Sequence, residues 1–129
     1  MDPATNRVVA EILIRPGSPD GGVDNVGVGQ GAVWAHSEGR LFKVDPATNE
    51  VTSTVSLGEY SPHLAVYGGA VWATVQASGI QLVRVDPRTE QVVAAEDIGP
   101  AAKAGYGRLV AGGGYVWFSS EGGLARVSP

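Results

Sequence analysis

His36 and His63 are the side chains in this sequence best suited to chemistry near neutral pH. Two imidazoles brought together could ligate a metal or serve as acid and base. No Ser-His-Asp spacing and no nucleophile-elbow motif surrounds either of them, so the plainer account is an exposed or hydrogen-bonded loop histidine. Asp20, Asp24 and Asn25 stand among glycines that would let the chain curl into an oxygen-rich cation site. A calcium loop needs more alternating carboxylates and a late Glu, which this stretch lacks. Gly27-Val28-Gly29-Gln30-Gly31 reads as a piece of a nucleotide fingerprint, yet it precedes a strand, so no helix N-terminus is there to hold a phosphate. Tyr60, Lys103, Tyr106 and Arg108 fall in irregular connections, where binding residues concentrate, and with the two histidines they form the ligand-face candidates.

The elements that must position these residues come from a repeat of roughly 42 residues. Its markers are Asp2-Pro3-Ala4-Thr5-Asn6, Asp45-Pro46-Ala47-Thr48-Asn49 and Asp86-Pro87-Arg88-Thr89-Glu90. They are interleaved with Ala32-Val33-Trp34-Ala35, Ala70-Val71-Trp72-Ala73 and Tyr115-Val116-Trp117-Phe118. Short β-branched and aromatic runs bounded by Gly, Pro, Asn and Asp predict four strands per unit, a to d from the centre outward, and helical periodicity is absent. The a-to-b turns are Gln30-Gly31, Gly68-Gly69 and Gly112-Gly113-Gly114, where glycine supplies positive φ. In the c-to-d turns, Asp can accept a backbone N–H two residues on, Pro presets φ, and Asn6 or Asn49 tolerates the left-handed conformation. The three tryptophans share one strand position, which makes them core between neighbouring sheets rather than a sugar-stacking ladder.

The expected fold is therefore all-β: a β-propeller segment of three blades. Residues 15–57 form the first blade, 58–98 the second, and 99–129 a third that lacks its outer strand. Residues 1–14 supply an outer strand for a partner blade. Three blades cannot close a ring, so the chain reads as a fragment of a longer propeller that associates with itself. A homodimer with six blades is expected ahead of a nine-bladed trimer. The strand exchanged between copies is Arg7 to Ile14, paired with Leu124 to Val127. Val8, Ala10, Ile12 and Ile14 face one neighbouring sheet, and Val9 and Leu13 the other. Leu124, Ala125 and Val127 complete the expected interface.

Composition excludes several classes of function. The 129 residues are 43% hydrophobic, enough for a sizeable core, and 19 glycines are spread as turn punctuation rather than gathered in a linker. Nine basic against 13 acidic residues, without a basic cluster, argue against a nucleic-acid partner. No apolar run approaches the length of a membrane helix. With no cysteine, disulfides and cysteine-ligated zinc are excluded, and the compartment stays open.

The repeat motifs, Gly-Gly-Ala-Val-Trp at Gly68 to Trp72, Arg-Val-Asp-Pro-Arg-Thr at Arg84 to Thr89 and the valine-rich strand after it, resemble those of the bacterial YVTN and virginiamycin B lyase-like propellers. The resemblance spans the whole chain and implies the propeller fold. The lyases among these relatives use a metal with His and Glu residues, and no motif here matches those positions. The expectation is a non-catalytic, self-assembling binding or structural scaffold that needs no cofactor. The alternative is a piece of a metal-dependent lyase or hydrolase with its site at the channel mouth.

Overall fold

The computed structural model describes residues 4–5, 7–14, 22–57, 63–76, 80–99, 108–120 and 123–128. Among the described residues eleven strands form three antiparallel sheets, each an up-and-down meander. Blade 1 holds β1 (Asn25–Gly29), β2 (Ala32–Ser37), β3 (Arg40–Asp45) and β4 (Glu50–Ser56). Blade 2 holds β5 (Leu64–Tyr67), β6 (Ala70–Gln76), β7 (Ile80–Val85) and β8 (Val92–Gly99). Blade 3 holds β9 (Arg108–Gly112), β10 (Tyr115–Ser120) and β11 (Gly123–Val127). No helix occurs among the described residues, and none is long and apolar enough to cross a membrane.

Local turn chemistry explains why the chain folds back so often. Paired positive φ angles at Gln30 and Gly31 (55° and 72°), Gly68 and Gly69 (61° and 78°) and Gly113 and Gly114 (61° and 85°) give two-residue hairpins whose twist matches the strands. Glu38 and Gly39 (49° and 73°) make a fourth hairpin of this kind between β2 and β3. The Asp-Pro turns obey a second rule. Asp45 Oδ1 accepts the Ala47 N–H at 2.8 Å, and Asp86 Oδ1 accepts that of Arg88 at 2.7 Å. The turn closes through Asn49 N–H to the Asp45 carbonyl at 2.8 Å, and through Glu90 N–H to the Asp86 carbonyl at 2.7 Å. Asn49 and Glu90 take the left-handed conformation, φ 60° and 61°. Before each turn the ladder slips by one residue, between Lys43 and Val44 and between Arg84 and Val85.

The pairing registers superimpose the three blades residue on residue. Trp34 stands opposite Lys43, Trp72 opposite Arg84 and Trp117 opposite Arg126. Each tryptophan donates its indole N–H to the carbonyl five residues back, at Gly29, Tyr67 or Gly112. The cation opposite then lies over the ring at 5.4, 5.7 or 5.9 Å. One face of every blade, its front, carries this tryptophan and a leucine seven residues further on in blades 1 and 3, or ten in blade 2. The front of blade 1 (Ala32, Trp34, Leu41, Val55) packs on the back of blade 2 (Leu64, Val71, Val85). The front of blade 2 (Ala70, Trp72, Ile80, Leu82) packs in turn on the back of blade 3 (Leu109, Val116, Phe118). Burying a leucine or valine in such a layer is worth about 1.5–3 kcal/mol.

Inner strands β1, β5 and β9 lie side by side in that order, and their small residues permit it. A Cβ built on Gly29 would stand 2.5 Å from Val66 Cγ1, and one on Gly27 would stand 3.0 Å from Val66 Cγ2. Convergence of the sheets therefore demands glycine at Gly29. The segment expected to be an outer strand is a different case. Arg7 makes a lone bridge, and residues 8–14 belong to no strand and are mostly exposed.

Candidate functional site

Strand register gathers the polar candidates at one end of the blades. His36 pairs with Asn25 on one side and Leu41 on the other. In blade 2 the matching positions are His63, just before β5, and Thr74, whose N–H donates to the His63 carbonyl at 3.2 Å. In blade 3 they are Arg108 and Ser119, where the Arg108 N–H donates to Ser119 Oγ at 3.1 Å. The rim is thus built at a single repeat position that carries a different polar pair in each blade.

His36 is wholly buried in β2, which departs from the expectation of a loop histidine, and both Asp24 before β1 and His63 before β5 act on it. Its Nδ1 lies 3.5 Å from Asp24 Oδ2, too long for a strong hydrogen bond. Neither ring nitrogen meets a hydrogen-bond partner among the described residues. The Asp24 N–H donates to the His36 carbonyl at 2.8 Å, and Ser37 Oγ donates to the Gly22 carbonyl at 2.6 Å, so the segment before β1 is pinned over the imidazole. Burial pushes the His36 pKa below its ordinary value of 6.5; the Asp24 carboxylate opposes that shift and His63 adds to it. Burial thus favours the neutral form of the ring. His63 is 9% exposed and sets its ring edge-on to Phe118, with centroids 5.5 Å apart.

This rim brings together His36, His63 and the start of β9 at Arg108, which is exposed. Tyr60, Lys103 and Tyr106 lie outside the described residues. Among the described residues no three His, Cys, Asp or Glu side chains converge as a metal centre. The calcium site considered around Asp20, Asp24 and Asn25 includes Asp20, which also lies outside them.

A second candidate surface comprises the two end faces of the array. Leu124 is 66% exposed, although its counterparts Leu41 and Leu82 are 0% and 2% exposed. Val110 is also exposed on the front of blade 3, and Trp117 is only half-buried where Trp34 and Trp72 are enclosed. At the other end, Val26 and Val28 are exposed on the back of blade 1, in the positions where blade 2 buries Leu64 and half-buries Val66. Of the expected interface residues, Val8, Val9, Ala10, Ile12 and Leu13 are exposed, and Ile14, Ala125 and Val127 are half-buried. Val26, Val28, Val110 and Trp117 were absent from that set, although aligning the strand registers across the repeat points to them.

Similarity to solved structures matches this geometry. The chain resembles Myxococcus xanthus glutaminyl cyclase with a TM-score of 0.59 and 14% identity, over 81% of this chain and 47% of that one. It resembles apo AztD from Citrobacter koseri with a TM-score of 0.65 and 12% identity, over 88% and 33%. For Kuenenia stuttgartiensis hydrazine synthase the values are 0.60 and 15%, over 95% and 38%. These are propeller-type proteins, and the chain spans less than half the length of each. The fold is a partial, propeller-like array of blades. No protein family and no curated protein matches the chain, so the similarity stops at the fold.

Proposed function

We propose that this chain is a non-catalytic blade module that assembles with itself, front of blade 3 against back of blade 1, as a binding or structural scaffold. The supporting observation is Leu124. The same repeat position is sealed at both internal junctions and two-thirds open at the end. The two end faces are unlike each other, front and back, which is the complementarity that already holds blade 1 to blade 2. Exposed apolar patches flanked by polar rims mark association surfaces in soluble proteins. Two copies closing head to tail give a six-bladed ring with two equivalent junctions, and the polar rim then lines one mouth of the channel. A trimer would widen the channel and reduce contact between inner strands.

Light scattering across a concentration series tests this reading. A species of twice the 13.2 kDa chain mass is expected. A monodisperse monomer at micromolar concentration overturns it.

A further inference from the structure

Among the described residues β11 is the outermost strand of the blade 3 sheet, and residues 8–14 belong to no strand. Counted from the Asp-Pro turns, Val8-Val9-Ala10-Glu11-Ile12 occupies the place of Val51 to Val55 in β4 and of Val92 to Glu96 in β8. Both of those strands pair in one register. Leu41 faces Val55, Lys43 faces Ser53 and Val44 faces Val51, with a slip that leaves Thr52 unopposed. Leu82 faces Glu96, Arg84 faces Ala94 and Val85 faces Val92, leaving Val93 unopposed. A register is strongly specified wherever one sheet face is buried, because a one-residue shift turns every side chain over.

A second observation points to the same edge. Lys43, over Trp34, reaches across the junction to the β7–β8 turn of the next blade, where it donates to the Pro87 carbonyl at 3.2 Å and meets Glu90 at 3.6 Å. Its counterpart Arg84 has a buried Nε without an acceptor among the described residues. Beside it a groove of about 130 Å³ opens between Trp72, Leu82, Arg84 and Ala94 of blade 2 and Val127 and Ser128 at the end of β11. At the preceding junction the matching place is taken by the β7–β8 turn of blade 2, which Lys43 contacts.

Resting on the self-assembly reading above, the geometry points to residues 7–14 of a second copy as the fourth strand of blade 3, in a defined register. Ile12 of one copy stands opposite Leu124 of the other, Ala10 opposite Arg126 and Val8 opposite Val127. Val9 occupies the bulge, which takes Val8 out of the simple alternation of Ala10, Ile12 and Ile14. The strand added to the edge supplies backbone partners along Leu124 to Val127.

Cysteine pairing tests the register without interference, because the chain has no cysteine. Ile12→Cys and Leu124→Cys are made in separate chains, mixed and oxidised, so that a disulfide can form only between copies. A disulfide needs Cβ atoms within about 4.5 Å. The expected result is a covalent dimer of the two variants, formed roughly tenfold faster than with Leu13→Cys in place of Ile12→Cys, since Leu13 points to the other face. Equal rates for the two positions overturn the register. No cross-link in a mixture that light scattering shows to be dimeric overturns the strand exchange and leaves association through the faces standing. A cross-linked monomer from the double variant, with none from the mixture, places the seal within one chain and also overturns the proposal. A monomeric wild type overturns both readings. Ala10→Pro gives a second check independent of oxidation. It removes a ladder donor, and the dimer is expected to dissociate at lower dilution than the wild type while circular dichroism of the blades is unchanged; an unshifted dissociation counts against the exchange.

Discussion

Leu41 and Leu124 occupy the same place in the repeat, opposite a polar residue two positions past the tryptophan, yet one is sealed and the other open. Their sequence surroundings are equivalent, and what differs is the presence of a blade in front. Burial in this architecture is conferred by the neighbour and not by the strand, so Leu124 has the setting of Leu41 and Leu82 without an adjoining blade among the described residues. Changing the same position at an internal junction and at an end face therefore separates intrinsic blade stability from assembly.

The largest contrast is expected for leucine truncation. Leu41→Ala leaves a cavity between blades 1 and 2 and should cost about 2–5 kcal/mol in urea unfolding. Leu124→Ala should change the stability of the dissociated chain by no more than about 0.5 kcal/mol while weakening self-association in the same light-scattering series. Equal losses of unfolding stability would erase the distinction between the two environments.

A subtler pair lies on the inner strands. Gly29→Ala drives a methyl into Val66 and is expected to cost about 1–3 kcal/mol. Gly112 holds the matching position on β9, with nothing within 4 Å of an added Cβ. Gly112→Ala should leave thermal unfolding of the monomer unchanged and impair only the assembled form, where the partner's Val28 would meet it.

A pH series separates the buried rim histidine from an exposed turn carboxylate. Burial disfavours the charged form of His36, so its folded pKa lies below the unfolded value. Its stabilising contribution is complete above about pH 6.5, and it is lost as pH falls and the unfolded chain binds a proton that the folded chain resists. The midpoint of thermal unfolding should drop between pH 7 and 5 in the wild type and drop less in His36→Gln. Asp86, whose carboxylate accepts two backbone N–H groups, behaves separately: its pKa is depressed, and its contribution disappears only as pH falls below the ordinary carboxylate range.

The smallest effect concerns the two outer turns. Asn49 and Glu90 share the left-handed conformation, but only Asn adopts it readily. Glu90→Asn is expected to raise stability by a few tenths to about 1 kcal/mol in urea unfolding, net of a solvent-screened contact with Lys43. A loss larger than 1 kcal/mol would mean that the Lys43 tether outweighs the backbone term.

Much of the fold was legible because its signals are local. Gly68-Gly69 and Asp45 to Asn49 announce their turns through φ requirements and side-chain acceptors only a few residues away, and the recurring tryptophans fix the period. The candidate site was less legible. The sequence around His36 does not announce its burial, because its neighbours Asp24 and His63 lie 12 and 27 residues away and are brought to it only by the folding of β1 and β5. The slip at Lys43, the unsatisfied Nε of Arg84 and the tight approach of Gly29 to Val66 likewise depend on partners that are distant along the chain. Glu38-Gly39 carries a signal of the same local kind, a glycine between two apolar runs, and the structure adds it to the hairpin turns.

The indole bond from each tryptophan to the carbonyl five residues back stays inside a single hairpin. It fixes the tryptophan's orientation without a contact from any other blade, so a duplicated copy of the gene segment would carry its own fastener. In an array of this kind the number of units can change by copying or loss without redesign of a shared centre, and size becomes a property open to evolutionary drift.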